Sequence, residues 1–340
     1  MRKLEAIARI ICIAPLVCIF GWTAQAQTKP TVRFHEYGKI ILHLPNWVMI
    51  ENGYCDKHGI KCEPVTLANA PLAQAAAAAG SVDIVNSTID TTLQAISKGN
   101  DLQIVGGYWS GNPYALMVRS GLNLPNKTLG YPQNMADLKG AKVGVAARGS
   151  STEIFMKSLL MHAEMPSDSV VYIPVGGPVT AYASLAAKQV DAVVSWDPVP
   201  ALCVVTAACT SFVDMRNGEG PATYKGLNST SIFLQARREY VEKNSDRIDA
   251  FNLALAEAIH WIQDPGNYPQ VLALAKKNIV LGEDIPNRDR LYELMVQDAI
   301  PRFSARLERP AVKAWQEFLI ETKVLEKPLA LESIIYKNAP

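Results

Sequence analysis

The sequence predicts an α/β protein built as two lobes joined by two hinge crossings, with a helical C-terminal segment. Three observations carry that expectation. From Thr31 onward, short apolar runs alternate with longer helical ones, the pattern of strands linked by crossover helices. A strand-like run entering at Ala115 leaves the first block, and another near residues 228–234 runs back toward it. From Arg237 the chain reads as helix, since DRIDAFNLALAEAIHWIQ and YPQVLALAKKN both place apolar residues three and four apart. The expected lobes are 31–114 with 233–340, and 115–232.

In the first lobe TVRFHEY is a strand and LHLPNWVMIENGYCDKHG a helix, started at Pro45 and stopped at Gly53 or Gly59. KCEPVTL and VDIVNST are strands on either side of the alanine-rich helix PLAQAAAAAGS. TTLQAISKGN is a helix ended by Gly99, and LQIVGGYW a fourth strand. In the second lobe ALMVRS, AKVGVAA, VVYIPV and VDAVVSWDP are strands, separated by the helices MADLKG, GSSTEIFMKSLLMHAEM and VTAYASLAAKQ. A loop holding Cys203 and Cys209 then leads to the returning strand STSIFLQARREY.

Residues 1–26 read as an export leader. Arg2, Lys3 and Arg9 make a basic start, Ile10 to Trp22 is mostly apolar, and Ala24-Gln25-Ala26 is a small-x-small cleavage pattern. The apolar run is short of the ~20 residues that span a bilayer. Cys18 follows the bulky Val17, so a lipid anchor at that cysteine is the lesser reading. Cleavage after Ala26 leaves about 314 residues, which suits two domains of about 150 each. Lysine plus arginine (33) nearly balances aspartate plus glutamate (32), so no basic face for a polyanion is implied and nucleic acid is not an expected partner.

Beyond the leader stand Cys55, Cys62, Cys203 and Cys209. Four cysteines allow three connectivities, and the short spacings favour Cys55 with Cys62 and Cys203 with Cys209. An exported chain meets an oxidising compartment where such pairs become disulfides. A zinc knuckle would need a two-residue spacing that neither pair has, so no metal site is expected.

In open α/β sheets, ligands sit beyond the carboxyl ends of the strands, where helix N-termini present free N–H groups. That selects His35, Glu36 and Tyr37, Ser87 and Thr88, Tyr108 and Trp109, residues 148–152, Gly176 and Gly177, and Trp196 with Asp197. The stretch GVAARGSST matches a phosphate loop at Gly144, Gly149 and Ser151 but has Ser150 in place of the lysine. Nucleotide hydrolysis is therefore demoted. Gly149 suits a tight turn, and Ser150, Ser151 and Thr152 either cap a helix or hold the oxygens of an anion. Arg148 is suited either to grip a carboxylate or sulfonate with two prongs or to stand in solvent, the commoner fate of a lone loop arginine. No G-x-S-x-G or H-E-x-x-H motif occurs, so neither a catalytic group nor a cofactor is expected.

The segments LKGAKVGV (138–145), GSST (149–152) and QVDAVVSWDP (189–198), with GSVDI (80–84) in the first lobe, resemble the signature segments of periplasmic substrate-binding proteins of the nitrate, sulfonate and taurine type. The resemblance implies the type II, Venus-flytrap fold in a periplasmic, non-enzymatic monomer. Such a protein grips a small organic anion, a sulfonate or carboxylate, between its lobes and delivers it to an ABC permease in the inner membrane. Ligand contact carries over to Ser87 or Thr88, to Gly149, Ser150, Ser151 and Thr152, and to Trp196. The same family includes binders of thiamine-pyrimidine precursors, and a related fold houses a pyrimidine synthase. That gives the alternative, a binder or a synthase using His35 or His43. This sequence departs from the family in Ala147-Arg148 before the glycine and in its cysteine pairs.

Overall fold

The computed structural model describes residues 28–282 and 285–340; the expected leader lies outside them. Ten strands are numbered in chain order: β1 Thr31–Glu36, β2 Lys61–Thr66, β3 Val85–Thr88, β4 Leu102–Ser110, β5 Ala115–Arg119, β6 Lys142–Val145, β7 Val171–Pro174, β8 Ala192–Ser195, β9 Cys209–Val213 and β10 Thr230–Arg237.

They make two sheets, the first of them a two-stranded and a three-stranded ladder joined by a single bridge. In the first, β1 runs parallel to β2, and a bridge from Phe34 to Ile84 brings β3 alongside β1. The returning strand β10 lies between β3 and β4, antiparallel to both. The second sheet has the order β7-β6-β8-β5-β9, with β6 parallel to both β7 and β8, and β5 antiparallel to β8 and β9. Residues 111–114 carry the chain from β4 into β5, and residues 214–229 bring it back from β9 to β10. Each sheet is flanked by its crossover helices, which is how parallel strands hide both faces.

Two local readings change. The helix expected after β1 is two helices, Leu44–Glu51 and Tyr54–Lys57, broken at Asn52-Gly53. The segment expected to be a loop around the second cysteine pair is the helix Val199–Thr206 followed by β9; its run VPALCVVT is apolar enough to pack against the sheet rather than cover it as a loop. Both expected disulfides are present. Cys55–Cys62 spans Cα atoms 5.9 Å apart and ties Tyr54–Lys57 to β2. Cys203–Cys209 spans 4.7 Å and ties Val199–Thr206 to β9.

The two largest core clusters each draw mainly on one sheet but share residues across the boundary. Phe34, Trp47, Tyr108, Phe251 and Leu255 pack in one cluster with the long helix Ser245–Gln263. A second cluster gathers Phe155, Tyr224, Phe233, Trp315 and Phe318. Here the C-terminal helix Arg309–Glu321 reaches across to the second sheet: Phe318 stacks on Phe155 at 5.4 Å between centroids, and Trp315 meets it edge-on at 5.8 Å. Such pairs add to the burial of large rings.

Candidate ligand-binding cleft

A cavity opens between the two sheets beyond the carboxyl ends of their strands, where the connectivity of an α/β sheet leaves a crevice. From the first sheet it is lined by Tyr37, Ile41 and Leu42 after β1, Asn69 to Pro71 after β2, Thr88 and Thr91 at the start of the helix Ile89–Ser97, Trp109 on β4 and Ile232 on β10. Pro113 and Tyr114 enter it from the crossing. From the second sheet come Ala146, Ala147, Ser150, Ser151, Thr152, Gly177, Trp196 and Asp197.

The loop after β6 is a tight wrap around the first turn of the helix Ser151–His162. Gly149 takes a φ of +75°, a left-handed conformation that costs glycine little, and this turns its N–H onto Glu153 Oε2 at 2.5 Å. The N–H of Ala146 donates to Thr152 Oγ1 at 2.8 Å, and Ser150 Oγ donates to Ala147 O at 2.7 Å. Two of the three hydroxyls expected to cap the helix or hold a ligand therefore satisfy the backbone of the loop before the helix, and Ser150 at the N-cap makes no side-chain bond to a first-turn amide. The third, on Ser151, meets Thr88 of the first sheet.

Arg148 departs from its expected place in the cleft. It lies outside the lining, pairs with Glu153 at 3.2 Å, rests over the ring of Tyr172 and is 59% exposed. Glu153 attracts it because that carboxylate is nearly covered and charged. Burial raises the Glu153 pKa, but hydrogen bonds from Lys157 and Gly149 and the charges of Lys157 and Arg148 together hold it below the usual value. Ser87 and Gly149 are also absent from the lining. Ser87 is buried, with its hydroxyl donating to the carbonyl of Thr88 and meeting Thr91 Oγ1. Tyr108 faces the core, donating to Leu42 O and Asn46 Oδ1 at 3.0 Å each.

Neither histidine of the synthase alternative reaches the cavity. The ring nitrogens of His35 lie 2.9 Å from Asn86 O and 3.2 Å from Leu67 O, and His43 Nε2 accepts the N–H of Tyr37 at 2.9 Å. Burial holds both imidazoles below the usual pKa, assisted for His43 by the nearby His35. Their work is to fix the loop that presents Tyr37.

Charge is the unexpected feature. Among the described residues, no lysine, arginine or histidine lines the cavity, while Asp197 does. Asp197 follows β8 and is 7% exposed; burial pushes its pKa up to about 7 against the pull of Arg216, with Asp298 adding to the rise. Asp90, fully buried in the first turn of the helix Ile89–Ser97, stands next to Thr88 and Ser151, and burial raises its pKa as well. Tyr114, Thr91, Ile41, Leu42 and Asn69 to Pro71 were not singled out in the sequence. The rule of strand carboxyl ends, applied also to β2, would have found Asn69, and Thr91 follows Thr88 by one helical turn.

The family model described as NMT1/THI5 like matches residues 41–267. No curated protein matches the chain. Among solved structures, the alkanesulfonate-binding protein SsuA of Xanthomonas axonopodis pv. citri bound to MOPS is 18% identical, with a TM-score of 0.71 over 90% of this chain and 98% of that one. The periplasmic aliphatic sulphonate-binding protein SsuA of Escherichia coli is 21% identical, with a TM-score of 0.67 over 91% and 98%. The periplasmic nitrate-binding protein NrtA of Synechocystis PCC 6803 is 14% identical, with a TM-score of 0.63 over 89% and 83%. The fold is thus that of the periplasmic binding proteins, and the chain belongs to the NMT1/THI5-like family.

Proposed function

We propose that this chain is the extracytoplasmic substrate-binding component of an ABC importer. Its lobes, 31–114 with 233–340 and 115–232, close over a small organic molecule, and the closed monomer hands that molecule to a permease in the inner membrane. The observation that carries this reading is the cavity walled from both sheets, with Tyr37, Trp109, Tyr114 and Trp196 among its lining. A ligand that touches both walls favours the closed arrangement by its differential contact with the two states. Four aromatic rings suit an organic body better than a bare inorganic ion.

Two ligand classes were expected, an organic sulfonate or carboxylate and a thiamine-pyrimidine precursor. Free first-turn amides of the helix Ser151–His162 support the first, and the absence of a basic side chain from the described lining supports the second. Binding without turnover is the activity proposed, because the buried histidines are held by backbone groups. The test is a thermal-shift screen of the purified chain against a library of sulfonates, carboxylates and amino-heterocycles, since a tight ligand raises the Tm by mass action. Stoichiometric, reversible binding of one class is the expected result. No shift with any class, or conversion of a compound to product, would overturn the reading.

A further inference from the structure

We infer that Arg216 is a positioning residue for the cleft: beside the two crossings it clasps carboxylates of both lobes and biases them toward the closed arrangement. This rests on the proposed closure of the lobes, and it concerns how they close rather than what they hold.

The clasp is assembled from distant parts of the chain. Asp197 follows β8 and stands on the cavity wall. Asp214 and Arg216 lie in the return crossing, directly after β9. Asp298 and Arg302 come from the C-terminal segment assigned to the first lobe, at the end of the helix Arg288–Ala299 and just beyond it. Gly111 opens the other crossing, and a Cβ placed on it would lie 2.8 Å from Arg302 Nη1. Apolar packing sets this meeting point, because Ala201 and Leu202 of the helix Val199–Thr206 join the first lobe's core with Met295 and Val296. Such contacts are non-directional; the charges above them are not.

Arg216 has a fixed side and a bridging side. Its Nε donates to Asp214 Oδ1 at 2.9 Å and its Nη2 to Asp214 Oδ2 at 2.8 Å, the two-pronged fork of an arginine on a carboxylate. That leaves Nη1 to face Asp197 of the second lobe at 3.6 Å and Asp298 of the first at 3.8 Å. Asp298 is anchored on its own side by Arg302, at 3.1 Å. Arg216 is 15% exposed, and Asp197 and Asp214 are buried, so solvent screens these charges less than a surface pair. Three carboxylates share two guanidiniums. Asp298 and Asp214 already oppose the ionisation of Asp197 with Arg216 in place. Without Arg216 the acids of the two lobes would confront each other with no cation between them, and parting the lobes would relieve the repulsion.

Iodoacetamide at pH 8, above the pKa of Asp197, tests the clasp on the purified protein through Ser151, which is nearly covered. Alkylation of Ser151→Cys, read by mass spectrometry on the peptide carrying residue 151, reports parting of the lobes. An exposed reference, Ser97→Cys, and a core reference, Ala258→Cys, bracket its rate. Ser151→Cys is expected to react more slowly than Ser97→Cys. Adding Arg216→Gln should speed it about fivefold or more, between the effects of losing an exposed and a buried ion pair, with the core reference unchanged. Asp298→Asn placed on top should return the rate toward its starting value, since it removes the repulsion across the lobes; a residue that only fastens its own turn would show no return. An unchanged rate with Arg216→Gln, acceleration of both buried sites together, or no return with Asp298→Asn overturns the inference. Ser151→Cys as reactive as Ser97→Cys overturns it too and leaves the importer reading standing, which the ligand screen decides. Should Arg216→Gln not fold, Arg302→Gln strips Asp298 of its partner and is expected to give the same acceleration; an unchanged rate there overturns the clasp.

Discussion

Thr88 Oγ1 lies 2.7 Å from Ser151 Oγ, and this one hydroxyl pair joins the end of β3 in the first sheet to the first turn of the helix that follows β6 in the second. Both side chains are nearly covered, and the bond spans the two sheets, so under the proposed closure of the lobes it acts as a strut of the closed cleft.

Ser151→Ala is therefore expected to weaken ligand binding about fivefold, the loss of one neutral hydrogen bond of ~1 kcal/mol, with little change in Tm. Thr152→Ala should do the reverse. Its hydroxyl accepts the N–H of Ala146, so its removal lowers Tm while affinity stays within about twofold of wild type. Calorimetry and thermal denaturation of the two variants separate the roles; equal losses in both measurements for both variants would contradict the assignment.

The order of elements was legible because it is written in local chemistry. Alternating runs, Pro45 at a helix start and the spacing of the cysteine pairs all act over a few residues, and the structure follows them. The cleft was legible only as a set of strand ends. Whether a side chain there faces the ligand depends on partners that sequence does not bring together. Arg148 is drawn outward by Glu153 and Tyr172, Ser87 points at Thr91, and His35 is held by carbonyls from Asn86 and Leu67. Tyr114 enters from a crossing that has no periodicity to read. The basic side chain expected at the cleft is missing from its described lining for the same reason, since that depends on where Arg148 goes.

Glu153 holds the loop for which the sequence offered helix capping and anion binding as alternatives. Its side chain is 3% exposed and gathers Arg148, Lys157 and the N–H of Gly149. Glu153→Gln should lower stability by about 1–2 kcal/mol, the lower range for a buried acceptor because both cationic partners are half in solvent. Its pKa is held below the unfolded value, so this stabilisation is present above that value and is lost as pH falls through the folded pKa. Denaturant melts at pH 7 and pH 3.5 check both parts: the variant is less stable at the first and closer to wild type at the second.

Gly107 on β4 marks where the C-terminal segment docks. A Cβ there would lie 2.1 Å from the carbonyl oxygen of Arg306, and the N–H of Gly107 donates to Ala305 O at 3.0 Å. Backbone on both sides leaves no flexible group to move aside. Gly107→Ala is expected to cost about 2–3 kcal/mol by overpacking and to expose residues 304–307 to proteolysis. A variant with wild-type Tm and cleavage pattern would show that the segment docks elsewhere.

Asp197 makes the protein's stability respond to pH. The groups that face it are Arg216, which favours its ionisation, and Asp298 and Asp214, which oppose it, with Arg302 helping from behind Asp298. Burial dominates and sets its pKa at about 7, above the 3.8 of an unfolded aspartate. The folded protein thus holds a proton that the unfolded chain has released between these values, and stability from this group falls as pH rises from about 4 to about 7. In Asp197→Asn that fall flattens across the interval, read as Tm against pH. A Tm that falls as steeply in the variant as in the wild-type protein would mean that another group carries the slope.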